Sequence, residues 1–222
     1  MGGFRSDMTG TKALALEQMC RETGRNFVRF DYFGHGQSSG EFTDGTIGRW
    51  KDDAVAVLDQ LSDGPQILIG SSMGGWIMLL AALARPRRVA GLIGVAAAPD
   101  FTEELMWQRA SPEIRKTLEQ DGVYFEPNEY DDTPHPITLK LIEEARRHLL
   151  LERPIPIHCP VWLFHGMGDE SVPWSITTRI SDALLTDDVR IFLVKNGDHR
   201  LSRDEDIERL CTAVNGLCRQ VS

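Results

Sequence analysis

The stretch from Gln66 to Leu80 places the tightest constraint on how this chain can fold. It runs from an apolar, strand-like segment through a Gly-Ser-Ser-Met-Gly corner into a second apolar segment of helical character. A buried strand that turns sharply into a buried helix, with a serine at the corner, matches the nucleophile elbow G-x-S-x-G. That motif holds a serine oxygen exposed at the carboxyl end of the strand, so Ser72 is the predicted nucleophile.

A second match to the same motif, Gly36 to Gly40, also follows a strand-like run. The residues after each match distinguish the two. Glu41 to Gly45 is polar and typical of a turn, whereas Trp76 to Leu80 continues as a helix. Only Ser72 therefore has strand, turn and helix in the required order.

Apolar periodicity elsewhere indicates strands and helices in alternation, with the 46–62 helix showing apolar residues at intervals of three and four. Such alternation predicts an α/β fold with a mostly parallel sheet and helices on both faces. The predicted elements are helices at 9–22, 46–62, 173–185 and 204–219, and strands at 27–30, 89–98, 161–165 and 189–194.

The alternation stops between Pro99 and Pro160, where we expect a small helical cap at about residues 100–158 inserted into a single domain, 1–222. Ser111 and the proline after it predict the start of one helix, and Pro136 predicts a second that runs to about Leu150. Residues 124–134 are rich in proline, aspartate and aromatic residues and predict a loop.

Apolar residues of this cap offer a surface that could hold an acyl chain. The predicted substrate-binding residues are Trp107, Tyr124 and Phe125, together with Met167 after a later strand. A small hydrophobic core within the cap explains its aromatic residues equally well.

The composition limits the partners that we expect. With 222 residues the chain has room for one domain, and a net charge of −9 without clustered Lys and Arg argues against a nucleic-acid partner. No apolar segment reaches the roughly 18 residues of a transmembrane helix. The sequence predicts a soluble, cytoplasmic protein, or one of the mitochondrial matrix in a eukaryote, and leaves the oligomeric state open. The four cysteines lack metal-ligand spacing, so we expect no metal.

A serine hydroxyl needs a histidine base, and usually a carboxylate that orients the histidine. His199 is the one histidine after the last predicted strand, which makes it the predicted base. Asp169 follows the preceding strand and is the predicted acid. Three other acids are possible partners of His199. Asp100, after an earlier strand, is the main alternative, and Glu170 is adjacent to Asp169. Asp198 is too close to His199 in sequence to face its ring easily.

The remaining histidines receive simpler interpretations. His165, at the end of a strand, could be a structural residue with satisfied hydrogen bonds. His35, His135, His148 and His158 are interpreted as loop or surface residues.

Acyl transfer also requires two N–H donors for the oxyanion, and removal of one typically costs about a hundredfold in rate. The backbone N–H of Met73, directly after the nucleophile, is one candidate donor. The second should come from a loop after an early strand, and Gly2-Gly3-Phe4 is the stretch of that kind, which suggests the Phe4 N–H. An irregular N-terminus is the alternative interpretation of these residues.

Several segments, spread over most of the chain, carry a resemblance to a known family. They are Ser6 to Ala13, Arg29 to Gly36, Gly64 to Trp76, Ile155-Pro156, His165 to Trp174 and Asp198-His199-Arg200. With these motifs the chain resembles the serine-type α/β-hydrolases, in particular the group of mitochondrial palmitoyl-protein thioesterases and acyl-glucuronide esterases with its bacterial relatives. The resemblance implies catalysis by Ser72, Asp169 and His199, hydrolysis of acyl esters or thioesters, a small-molecule or acylated substrate and no cofactor. The resemblance also implies that the second motif match, Gly36 to Gly40, is a structural loop.

One departure concerns the sheet. In that superfamily a strand precedes the oxyanion loop, yet this chain begins where the strand should end, so N-terminal strands are expected to be missing. Because an empty position in a sheet leaves backbone groups unpaired, we expect that roughly 25 to 35 residues precede this sequence in a longer chain. Two other functions stay open at this point, a general esterase for small carboxylic esters and a non-catalytic binding module on the same fold.

Overall fold

The computed structural model describes residues 1–127 and 134–221. Its helices are α1 (Thr11–Glu22), α2 (Ile47–Gln60), α3 (Met73–Ala84), α4 (Pro112–Asp121), α5 (Leu139–Ala145), α6 (Ser175–Ala183) and α7 (Asp204–Val221). Its strands are β1 (Gln66–Ser71), β2 (Val89–Val95), β3 (Val123–Glu126), β4 (His135–Thr138), β5 (Val161–Gly166) and β6 (Val189–Val194).

Four strands form one parallel sheet in the order β1-β2-β5-β6. In the register of the ladders Ser71 lies opposite Val95, Val95 opposite Phe164, and Gly166 opposite Val194. The carboxyl ends of all four strands therefore meet at one edge, where loops from distant parts of the sequence come together. This parallel sheet confirms the predicted fold class.

Helices cover both faces of the sheet. The apolar side chains of its buried strands alternate between these faces, so each face needs a layer of helices to form a core. On one face Ile93 and Trp162 pack with residues of α1 and α7. On the other, Leu92 and Leu163 pack with residues of α2, α3 and α6. Helix α3 is buried on nearly every side, which accounts for its uniformly apolar sequence. Within the described ranges no helix has both the length and the apolar character for crossing a membrane.

The outer side of β1 pairs with the first residue of the chain. The Met1 ammonium donates to the Ile69 carbonyl at 3.0 Å, and the Ser71 N–H donates to the Met1 carbonyl at 3.1 Å. The prediction of a strand at residues 27–30 is wrong, because this segment forms no strand in the structure. Its apolar residues do not pair through the backbone: Phe27 and Phe30 pack their side chains against the two cores, and Val28 is exposed.

The segment between β2 and β5, called the cap segment below, is more mixed than predicted. It holds a π-helical stretch (Thr102–Trp107), α4, an antiparallel β3–β4 hairpin and α5. The helix predicted to begin at Pro136 begins instead at Leu139, because Pro136 pairs with Phe125 in the hairpin and the Thr138 side chain caps α5. Of the predicted 124–134 loop, residues 124–126 form β3, and 128–133 lie outside the described residues.

Candidate active site

Ser72 stands between β1 and α3 in a backbone conformation that few residues adopt. Its φ is 55° and its ψ is −122°, which an L-residue keeps only where the surroundings hold it. They do so through the Ser72 N–H, which donates to the Val95 carbonyl at 2.9 Å, and the Ser72 carbonyl, which accepts from the Ala98 N–H at 3.1 Å. A Cβ on Gly70 would lie 2.2 Å from the Gly74 carbonyl oxygen, so the corner closes only with glycine.

His199 reaches Ser72 from the loop after β6. Its Nε2 lies 3.0 Å from Ser72 Oγ, so the hydroxyl can donate its proton to the ring. The loop is held by the Asp198 carboxylate, which accepts from the Leu201 N–H at 2.8 Å, and by the Lys12 ammonium, which donates to the Arg200 carbonyl. The His199 side chain keeps 28% of its surface exposed, so a substrate can reach the pair from solvent.

The Asp169 side chain lies fully buried behind the imidazole. Its Oδ2 is 2.6 Å from His199 Nδ1, while its Oδ1 accepts from the N–H groups of Ser171 and Val172 at 2.9 and 2.8 Å. Burial opposes ionisation of this carboxyl, but hydrogen bonds from His165 and His199 outweigh it and lower the pKa of Asp169 well below its ordinary value. A carboxylate in this position selects the His199 tautomer with its proton on Nδ1, which leaves Nε2 free to accept.

A second imidazole, His165, binds the same carboxylate oxygen. His165 is fully buried at the end of β5, with Nε2 3.1 Å from Asp169 Oδ2 and 3.0 Å from the Val172 carbonyl. Two acceptors face Nε2, so this nitrogen carries a proton, and Nδ1 lies 2.7 Å from Thr177 Oγ1. The contact to Asp169 went unpredicted.

The other acids considered lie elsewhere or have other partners. Asp100, buried at φ 62°, accepts from the backbone N–H groups of Leu150 and Leu151 at 2.8 Å and so joins the two ends of the cap segment. Glu170 is exposed. The Asp198 carboxylate accepts a hydrogen bond from the Leu201 N–H instead of facing the imidazole. Among the described residues no three His, Cys, Asp or Glu side chains are grouped as a metal site.

The two candidate oxyanion donors belong to two different segments near the nucleophile. Met73 is the first residue of α3, so its N–H has no acceptor within the helix. Gly3 lies against Ser72, since a Cβ built on Gly3 would be 3.3 Å from Ser72 Cβ. The next residue, Phe4, is anchored by its ring, whose centre lies 5.0 Å from that of Phe42 and 5.8 Å from that of Phe101. Both candidates therefore belong to segments that border Ser72.

The second G-x-S-x-G match has a structural arrangement. Ser38 Oγ donates to the Asp31 carbonyl at 2.7 Å, and Gly36 and Gly40 have positive φ values of 48° and 95°. Its hydroxyl therefore closes a loop by bonding to a backbone carbonyl, and that hydrogen bond is not to a histidine.

The predicted substrate-binding residues separate into two groups. Trp107 and Tyr124 pack against the cap segment's own small core of Leu118, Ile137 and Ile142. Phe125 and Met167 are exposed, by 58% and 42%. Met167 lies two residues before Asp169 in sequence, directly after β5.

Comparison with known proteins gives a consistent result. Residues 12–125 match the sequence profile of a family described as the alpha/beta hydrolase fold. The human mitochondrial palmitoyl-protein thioesterase ABHD10 is 42% identical over 221 residues, which cover 99% of this chain and 72% of the human protein. The resemblance to this group is thereby confirmed.

Solved structures agree with that result. Alpha/beta hydrolase domain-containing protein 10 from mouse superimposes with a TM-score of 0.91 at 41% identity, covering 100% of this chain and 89% of the mouse chain. A hydrolase from Agrobacterium vitis S4 gives a TM-score of 0.94, also at 41% identity, covering 97% of this chain and 85% of that one.

Proposed function

Because the chain belongs to the α/β-hydrolase family, we propose that it hydrolyses acyl esters or thioesters through an acyl group carried on Ser72. The observation that carries this proposal is the hydrogen-bonded chain from Ser72 Oγ through His199 to Asp169, with distances of 3.0 and 2.6 Å. The name of the human relative, a palmitoyl-protein thioesterase, supports an acylated substrate of this class.

In the first step His199 Nε2 takes the proton of the Ser72 hydroxyl while Oγ attacks the acyl carbon. The tetrahedral oxyanion is bound by the N–H groups of Met73 and Phe4. When it collapses, the bond from the acyl carbon to the leaving oxygen or sulfur breaks, and the leaving group takes the proton from His199. Water then attacks the acyl-serine, His199 accepts a proton from that water and returns it to Oγ, and the free acid leaves.

Asp169 keeps His199 in the required tautomer and stabilises the imidazolium formed in each step. The buried second imidazole fits this role, because a donor on Asp169 Oδ2 holds the carboxylate in place and ionised. The hydrogen bonds of His165 go to Asp169, Val172 and Thr177, so His165 acts on the reaction through Asp169.

For the substrate, we propose that the segment between β2 and β5 is the cap of a single domain and that the acyl chain lies along it. Met167 after β5 and Phe125 on the hairpin are exposed and free to contact such a chain. Trp107 and Tyr124 support the cap from within, because their side chains already pack in its own core.

The test is turnover of p-nitrophenyl esters of two to sixteen carbons, and of the matching acyl thioesters, by the wild type and Ser72→Ala. We expect Ser72→Ala to abolish turnover above the uncatalysed rate. Ser38→Ala, the serine of the second motif, is the matched control. It should keep its kcat and lose only about 1 kcal/mol of stability with its hydrogen bond to the Asp31 carbonyl.

The same series separates the other functions. A preference for long chains supports the acyl-chain site on the cap, whereas a preference for the shortest esters supports a general small-ester carboxylesterase. Absence of turnover on every ester and thioester would support a non-catalytic binding module, and turnover that survives in Ser72→Ala would reject the mechanism.

For location, the name of the human relative supports a mitochondrial protein if the source is a eukaryote, for which we propose the matrix, and we propose the cytoplasm if the source is a bacterium. A fluorescent fusion of the full native chain, viewed beside a matrix marker, tests this assignment.

A further inference from the structure

The segment that carries the Phe4 donor is a tight turn outside any helix or strand. The Ser6 N–H donates to the Gly3 carbonyl at 3.1 Å, and Arg5, the third residue of this turn, has a φ of 58°. That position normally favours glycine, so arginine stays there only if neighbouring groups hold the backbone. The groups that hold this turn also set the direction of the adjacent Phe4 N–H.

His35 is the group that holds the Arg5 amide. The Arg5 N–H donates to His35 Nε2 at 3.3 Å, although the two residues are 30 positions apart. His35 Nδ1 lies 3.2 Å from the Phe33 carbonyl, which can only accept a hydrogen bond. Both contacts are satisfied by one tautomer, neutral with its proton on Nδ1. His35 lies in a loop, as interpreted, but it is not a surface residue, because only 3% of it is exposed.

The surroundings of His35 join it to the Phe4 ring. Its imidazole makes edge contacts with the rings of Phe42 and Trp50, each with centroids 5.1 Å away. The Phe4 ring contacts the same two side chains, at 5.0 and 6.1 Å. Thus the side chain of Phe4 and the Arg5 amide are held by one buried cluster. The Phe4 N–H itself belongs to the Gly3–Phe4 peptide, and the carbonyl of that peptide accepts from the Ser6 N–H across the same turn at 3.1 Å, so the whole turn orients the donor.

We propose that His35 is a positioning residue for the oxyanion donor: by accepting from the Arg5 N–H it fixes the turn that directs the Phe4 N–H toward the reacting carbonyl of the substrate. The proposal rests on the proposed function. It requires a neutral imidazole, because a protonated Nε2 would meet the Arg5 N–H donor to donor.

The charges around His35 are compatible with the neutral form. Burial lowers the pKa of His35, against the smaller opposing effects of the Phe33 carbonyl, Asp31 and Asp53, while the positive charge of Arg5 lowers it further. Both carboxylates already accept from backbone N–H groups, Asp31 from Met8 at 2.7 Å and Asp53 from Phe33 at 2.8 Å.

The experiment compares two substitutions of one residue. His35→Phe keeps an aromatic ring and removes the acceptor, whereas His35→Gln can present its side-chain oxygen near the place of Nε2. Removal of an oxyanion donor costs about a hundredfold or more, so misdirecting it in His35→Phe should lower kcat at least about tenfold, with KM within about threefold. His35→Gln should recover most of that loss.

Tyr32→Phe is the matched packing control. The Tyr32 ring packs against His35, with ring centres 5.6 Å apart. Its hydroxyl is buried and has no hydrogen-bond partner within the described part of the chain. This variant should keep the wild-type kcat. If His35→Phe does not fold, His35→Leu, which also lacks an acceptor, replaces it, with rates normalised to folded protein by active-site titration.

Two results overturn the inference: a kcat within threefold of wild type in the variant without an acceptor, or equal losses in His35→Gln and His35→Phe. A wild type without Ser72-dependent turnover refutes the proposed function itself, and that outcome is distinct from an active wild type whose His35 variants behave normally.

Discussion

Replacing Asp169 by asparagine should change the tautomer of His199 while leaving the backbone almost unaltered. The N–H groups of Ser171 and Val172 both donate to Asp169 Oδ1, whereas the single His165 Nε2–H on Oδ2 keeps the Val172 carbonyl as an acceptor, so the oxygen of the new amide takes the Oδ1 position. The amide NH₂ then occupies the position of Oδ2, 2.6 Å from His199 Nδ1 in the wild type. It donates to Nδ1, which moves the ring proton to Nε2, and Nε2 can no longer accept from Ser72.

The expected loss follows from this tautomer change. An aspartate-to-asparagine change at the equivalent position of a serine triad lowers kcat by about 10⁴, or about 5 kcal/mol of transition-state stabilisation. The assay is steady-state hydrolysis of a p-nitrophenyl ester, with the folded fraction checked by circular dichroism. Glu170→Gln, next to Asp169 in sequence but exposed, is the matched control and should retain the wild-type kcat. If Asp169→Asn retains more than a tenth of the wild-type kcat, the assignment of Asp169 is refuted.

Further predictions concern stability. Because the pKa of Asp169 is lowered in the fold by its imidazole hydrogen bonds despite burial, its ionised form stabilises the fold above the ordinary aspartate pKa of about 3.9. The excess stability of the wild type over Asp169→Asn, measured by urea unfolding, should therefore be constant near neutral pH and shrink as the pH falls below about 4. His165→Phe should lose about 1.5–3 kcal/mol with its hydrogen bond to that carboxylate, and an unchanged urea midpoint would contradict this. Asp100→Ala should lose about 2–4 kcal/mol, because two backbone N–H groups lose their acceptor, while kcat per folded molecule stays within threefold. The Glu104–Arg179 pair between the cap segment and α6 is partly exposed, so a double-mutant cycle should give only about 0.5–1 kcal/mol.

The parts of the fold that depend on local pattern were predictable from the sequence. The strand, turn and helix around Ser72 follow from apolar runs on either side of a glycine-rich corner, and the structure has them at Gln66–Ser71 and Met73–Ala84. Asp169 and His199 could be nominated because parallel strands bring their carboxyl ends to one edge. The structure places both within hydrogen-bond distance of one another.

The parts that depend on distant partners were not predictable. Phe27 to Phe30 has the aromatic and β-branched composition of a strand, but a strand exists only where a second one pairs with it. Pro136 is typical of a helix start, yet here it lies in a hairpin strand whose partner begins 13 residues earlier, at Val123. The contact of His165 with Asp169 and that of His35 with Arg5 depend on tertiary packing, and no local spacing indicates them.

The most direct test of the mechanism is to look for the acyl-serine itself. The wild type is mixed with a p-nitrophenyl ester, quenched in acid during the first turnover, digested and examined by mass spectrometry. We expect the peptide that contains Ser72 to gain the mass of the acyl group, in step with a burst of p-nitrophenol, and Ser72→Ala to show neither. Steady turnover with that peptide unmodified, or the acyl group on another residue, would contradict the account.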